Sequence, residues 1–139
     1  MSHITKVPCV SAILYNADKQ VLLQQRDDKP DLAFAGYWTL FGGKVEYGET
    51  PDMAMRRELM EEIELQPDLT YWKTYNSPRT TNLVVIQHIY LGKIHQTLED
   101  ITLNEGQALN YFYQHELSKL NIAFGFEEIL DKFFHLNIS

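Results

Sequence analysis

The chain has 139 residues, 45% of them apolar and 12% aromatic, which is enough for one packed domain and too little for two ordinary ones. A formal net charge of −7 argues against duplex nucleic acid as a partner, which needs a basic footprint, and no apolar run approaches the roughly 20 residues of a membrane helix. Cys9 is the single cysteine, so no internal disulfide forms, and residues 1–7 lack the features of a secretory leader; a cytoplasmic protein with one domain over residues 1–139 is expected.

Residues 7–15 (VPCVSAILY) and 20–25 (QVLLQQ) read as two strands, and Asn16-Ala17-Asp18-Lys19 supplies the turn chemistry of a hairpin between them. A polar loop from Arg26 to Gly36 leads to a short strand from Tyr37 to Phe41, ending in Gly42-Gly43. Thr50-Pro51 starts a helix, because Thr suits the N-cap and Pro the first helical position; the helix runs to about Ile63, and Pro67 blocks its continuation. Residues 69–76 and 83–94 read as strands, the second long and β-branched. Residues 101–106 form a loop or strand edge, and 109–113 a further strand. A last helix near 125–135 carries Phe126, Ile129, Leu130 and Phe133 at helical spacing. Strands dominate with two or three helices interspersed, so a layered α/β or α+β fold is expected.

The segment from Gly43 to Leu65, GKVEYGETPDMAMRRELMEEIEL, carries the chemistry. At about 100° per residue, with Glu58 at the origin, Glu62 lies near 40° and Glu61 near −60°. Met55, Leu59 and Ile63 fall at about 60°, 100° and 140° and form the buried stripe, so the three carboxylates should stand at the border between core and solvent. Like charges at this spacing repel by a few tenths of a kcal/mol per pair. A divalent cation taking oxygen ligands would reverse that. A solvated acidic face is the plain alternative. Arg57 precedes Glu61 by four residues and can hold that carboxylate in one orientation. Gly42-Gly43 and Gly48 permit tight bends ahead of the helix, and Glu49 adds a carboxylate just before it.

These residues resemble the box of the Nudix hydrolase family, G-x5-E-x7-R-E-U-x-E-E-x-G-U with U a bulky apolar residue. Gly43, Glu49, Arg57-Glu58-Leu59, Glu61-Glu62 and Leu65 fill its positions at the right spacing. The one departure is Glu64, where the pattern has glycine; a residue just past a helix end often turns left-handed, which strains Glu by roughly 1 kcal/mol. The resemblance implies an α/β/α sandwich with a mixed β-sheet between helices. It also implies a hydrolase of a diphosphate bond in a nucleotide-like substrate, working with Mg²⁺, or Mn²⁺ in its place.

By the same resemblance Glu58, Glu61, Glu62 and the Gly42 carbonyl hold the metal, while Glu49 braces the loop. Glu105, in the loop Asn104-Glu105-Gly106-Gln107, resembles the base or extra metal ligand of mutator-type members; Glu61 and Arg57 complete the catalytic set. Arg26 stands where several members contact phosphate. Lys29, Lys44 and Arg79 are weaker cationic candidates, with Lys44 taken together with Arg26 and Trp38 as substrate-binding; Tyr37 and Trp38 can stack on a base. Cys9, His88, His95, His115 and His135 show no ligand spacing and carry no assigned chemistry.

The first functional expectation is hydrolysis of a nucleoside triphosphate, ordinary or oxidised as for the sanitising members, to the monophosphate and pyrophosphate. The asparagine that would read an oxidised purine is not evident: Asn121 is near, but Phe124 takes the slot. A nucleotide-sugar or ADP-ribose diphosphatase is the enzymatic alternative. A non-catalytic nucleotide-binding module is the alternative from another class, weighed against by the full set of box carboxylates. The isoprenoid-diphosphate isomerase branch is discounted, because it would need a cysteine in the active-site strand and Cys9 lies in the first. A homodimer is common in the family.

Overall fold

In this computed structural model, which describes residues 3–138, the chain forms strands β1 (Thr5–Tyr15), β2 (Val21–Gln25), β3 (Trp38–Thr39) and β4 (Phe41–Lys44), then helix α1 (Pro51–Ile63). Strands β5 (Thr70–Thr80), β6 (Leu83–Lys93) and β7 (Ala108–Phe112) follow, then helix α2 (Phe126–Phe134). The parts of the leader and single-domain expectations that fall on Met1, Ser2 and Ser139 lie outside the described residues. No helix among those residues is long and apolar enough to cross a membrane.

β1 is the spine of a seven-stranded mixed sheet. Along one edge it runs parallel to β6 over its full length, from Thr5 opposite Leu83 to Tyr15 opposite Lys93. Its other edge is shared: Cys9 to Ala12 pair antiparallel with β4, and Leu14 and Tyr15 with β2. The hairpin expected between β1 and β2 is therefore present but pairs over two residues only. β5 lies antiparallel on β6, and β3 and β7 on β2.

Five consecutive residues of β1, Val10 to Leu14, are buried, because both faces of the sheet are covered. Val10, Ala12 and Leu14 face α1, where Ala54, Met55, Leu59 and Ile63 close one core. Ile13 faces the other way and packs with Val21, Leu23, Phe126, Leu130 and Phe133 beneath α2. The expected α/β/α sandwich is what forms.

The structure corrects one local expectation. Gly42 and Gly43 do not end a strand; they lie inside β4, opposite Ser11 and Val10. The strands approach so closely that a Cβ on Gly42 would overlap the Val10 carbonyl oxygen, and only glycine fits.

Helix α1 begins and ends as its sequence requires. The Thr50 hydroxyl accepts the Met53 N–H at 3.2 Å, and Pro51 sits in the first turn. Glu64 then takes the left-handed conformation, φ 57° and ψ 36°, so the helix end keeps the shape that a glycine would give it.

Candidate active site

Helix α1 does not present its three carboxylates alike. Glu62 is only 2% exposed, with Oε1 accepting the Gln24 amide at 2.7 Å and Oε2 without any partner. Glu58 is half-buried, and Glu61 is exposed. The common border position expected from the helical wheel is thus corrected: the roughly 100° between Glu62 and Glu61 spans the whole passage from core to solvent.

Burial pushes the Glu62 carboxyl up to about 9, and the nearby charges of Glu58 and Glu105 push the same way against the Gln24 hydrogen bond. Burial also raises Glu58, with Arg57 opposing. A pair of carboxyls this close, one with a bare oxygen in the core, is a site short of positive charge.

Arg57 is the hub that orders the rest. It holds Glu49 through two bonds, Nε to Oε2 at 2.7 Å and Nη2 to Oε1 at 3.0 Å, and donates to Glu58 at 2.9 Å. The bonds to Glu61, expected from spacing, are the longest at 3.3 and 3.4 Å, and the Lys44 carbonyl accepts a further one at 3.1 Å. Glu49 in turn accepts the Glu46 N–H at 2.8 Å, so the loop before α1 is tied to its middle. These bonds to Arg57 lower the Glu49 pKa and raise that of the arginine.

Two backbone features bring the acids to the cleft. A Cβ on Gly43 would strike the Glu58 carboxylate, so the absent side chain is the seat for that carboxylate. The loop bearing Glu105 is pinned at both ends. Asn104 donates its backbone N–H to the Glu62 carbonyl at 2.8 Å, and its side chain to the Glu61 carbonyl and the Glu64 carboxylate. On the other side Gln107 bonds the Gln25 and Arg26 carbonyls. Glu105 itself is exposed on the cleft rim. Among the described residues no three acidic, histidine or cysteine side chains converge on one point.

The cleft has a volume of about 590 Å³ and is lined at this end by Gln24, Gly42, Gly43, Glu62 and Glu105. Its other wall lies on the α2 face of the sheet. There Ser11 and Gln87, each about 5% exposed, form a polar pair, the serine hydroxyl donating to Gln87 Oε1 at 3.1 Å. Phe124 stands beside them in a left-handed conformation, φ 59° and ψ 20°. The guanidinium groups of Arg26 and Arg79 lie 5.0 and 4.9 Å from its ring centroid. Arg26 is further fixed by an Nε bond to the Ala33 carbonyl. Arg79 falls at a register irregularity of β5 between Pro78 and Thr80, and its buried Nε has no partner.

Of the residues expected at the site, Gly42, Glu62, Glu105 and Arg26 line the cleft, and Glu58 adjoins it through Gly43. Three of the expected substrate contacts, Tyr37, Trp38 and Lys44, do not line the cleft. Trp38 packs edge-on against Phe112, 4.9 Å between centroids, because its strand pairs with β2 above the α2 core; Tyr37 packs on Phe34. The Lys44 side chain is exposed and off the cleft wall, and only its carbonyl takes part, through Arg57. Arg79 belongs to the cleft although its spacing gave it little weight, and Ser11, Gln87 and Gln24 were missed. Their signal was polar residues inside otherwise apolar strands. Cys9 also lines the cleft, a thiol raised by burial.

A family model described as "NUDIX domain" matches residues 5–133. Among curated proteins, the "Nucleoside triphosphatase NudI" of Escherichia coli O17:K52:H18 is 29% identical over 108 residues, 76% of this chain and 75% of its own. Among solved structures, the MutT protein from Methanosarcina mazei Go1 superposes with a TM-score of 0.82 at 22% identity, covering all of both chains. The E. coli ORF135 protein gives 0.76 at 27% identity, over 94% of this chain and 90% of its own.

Proposed function

The chain belongs to the NUDIX family, and on that premise we propose that it hydrolyses a nucleoside triphosphate to the monophosphate and pyrophosphate with Mg²⁺. The observation that carries this reading is the bare, buried Oε2 of Glu62 beside Glu58, at one end of a cleft whose other end is aromatic and rich in N–H donors. Hard oxygen donors whose burial and mutual crowding disfavour ionisation fit a small divalent cation, which would take the place of the proton.

Glu58, Glu62 and the Gly42 carbonyl would hold the ion, with Glu61 and Glu105 as further oxygen donors. Once bound, the ion would neutralise charge on the diphosphate and acidify the attacking water. Arg57 keeps Glu58 aimed and, through Glu49, keeps the preceding loop in place. Arg26, at the cleft mouth, binds a phosphate group. Glu105, pinned through Asn104 and Gln107, takes the proton from water as it attacks phosphorus in line and pyrophosphate departs.

The test is a panel of nucleoside triphosphates, nucleotide sugars and ADP-ribose with Mg²⁺ or Mn²⁺, scored separately for pyrophosphate and orthophosphate, with Glu62→Gln as control. Pyrophosphate release from a triphosphate, lost in the control, supports the reading. Turnover of the sugar nucleotides alone moves the protein to the diphosphatase alternative. No turnover of any compound makes it a binding module.

A further inference from the structure

The wall of the cleft on the α2 face is polar where its surroundings are not. Ser11 alternates with Ile13 along β1, and Gln87 with Ile89 along β6, and both isoleucines are wholly buried beneath α2. A polar pair in such a place is costly unless each group is satisfied. Gln87 is 4% exposed, and its Oε1 accepts the Ser11 hydroxyl. Its Nε2 makes no hydrogen bond among the described residues, and Gln87 lines the cleft. Arg79, brought onto the same wall at the irregularity of β5, has a buried Nε that is also without a partner. The unmet groups of this wall are thus N–H donors, while the Ser11 oxygen, having given its own proton, keeps lone pairs free to accept one.

We propose that this wall reads the base of the nucleotide and selects bases that carry a ring carbonyl beside a ring N–H, as uracil does, over those that carry an exocyclic amino group there, as cytosine does. The inference rests on the reading of the cleft as a nucleotide site and names its substrate class. A carbonyl oxygen meets the Gln87 amide and the Arg79 guanidinium, and the adjacent ring N–H meets the Ser11 oxygen. An amino group in place of the carbonyl sets donor against donor and leaves the cleft-facing Gln87 amide and the buried Arg79 Nε without an acceptor, which lowers affinity on the order of tenfold or more. Phe124, with the Arg26 and Arg79 guanidinium groups over its ring, closes the same wall as an apolar boundary beside these polar groups.

Uridine and cytidine 5′-monophosphate differ at this edge alone, so their binding to the whole protein, measured by calorimetry, tests the base reading without relying on hydrolysis. The expected result is uridine monophosphate bound about tenfold or more tightly. In Gln87→Met the ratio falls to within about twofold. Ser11→Ala, which leaves Gln87 in place but frees its amide to turn over, lowers the ratio as well, and circular dichroism shows both variants folded. Equal binding of the two nucleotides, tighter cytidine monophosphate, no binding of either, or a preference that survives in both variants overturns the proposal. A uridine preference in a protein that hydrolyses no triphosphate keeps the base reading and overturns the reaction instead.

Discussion

Glu62→Gln separates the electrostatic account of the acidic helix from a merely structural one. The carboxyl sits at about 9 in the folded chain against an ordinary value of 4.5. Between those values the folded state holds one proton more than the unfolded state, so the unfolding free energy falls as pH rises, by at most about 1.4 kcal/mol per pH unit. The stabilisation from protonated Glu62 is complete below 4.5 and is lost as pH passes through about 9. From pH 6 to pH 8 the loss reaches about 3 kcal/mol, or roughly 10 °C in Tm for a domain of this size. Glutamine copies the protonated acid: its oxygen accepts from Gln24 as Oε1 does, and its amide nitrogen replaces the unpartnered Oε2. In EDTA the variant should therefore match the parent near pH 5 and melt progressively higher than it toward pH 8. Added Mg²⁺ should raise the parent's Tm, more so at higher pH, and leave the variant's nearly unmoved. Differential scanning fluorimetry from pH 5 to 8, with and without Mg²⁺, measures both. Parallel pH profiles for the two proteins in EDTA would refute the reasoning, as would a variant less stable than the parent across the range.

Four further substitutions follow from the same geometry. Glu64→Gly relieves a left-handed strain of roughly 1 kcal/mol and gives up one exposed bond from Asn104, so Tm should hold or rise slightly with activity retained; a clear fall would assign the Asn104 contact more weight than its exposure allows. Arg57→Lys cannot keep the two-pronged grip on Glu49 together with the bond to Glu58, and turnover should drop about 10- to 100-fold with little loss of helix by circular dichroism. Gly42→Ala and Gly43→Ala should differ in kind. The first forces apart two backbones, for a stability loss of about 2–4 kcal/mol in urea titration, whereas the second displaces a carboxylate and shows mainly as weaker Mg²⁺ dependence of activity.

Much of this architecture was legible because several local rules agreed. Thr50, Pro51 and the stripe of Met55, Leu59 and Ile63 together define α1 from cap to end, and the structure begins and ends it at Pro51 and Ile63. The strands of the centre read as apolar runs because both their faces are covered. The double glycine was misjudged for a definite reason. Glycine is read locally as a bend, whereas here it answers a neighbour 32 residues earlier in sequence, the Val10 carbonyl, which only strand pairing brings close. Trp38 lies off the cleft wall for a related reason: a side chain's face in a two-residue strand depends on the register of β3 with β2, which short-range pattern does not fix.

The cleft shows the same division between what one helix dictates and what the sheet assembles. The order of burial among Glu58, Glu61 and Glu62 depends on which side of α1 the Gly43 gap lies, so identical residue types on one helix end as a buried acid, a half-buried acid and an exposed ion-pair partner. Gln24, Ser11 and Gln87 come from three different strands, and none of them announces a partner in its own local sequence. Their meaning arises only when β1 lies between β2 and β6, which sets Gln24 against the buried acid on one face and the serine–glutamine pair against the cleft on the other. One sheet thereby fixes the distance between the charged end of the site and the end proposed to read the base. A perturbation of the β1–β6 register should accordingly impair both ends at once, while Gln24 and Gln87 variants impair them separately.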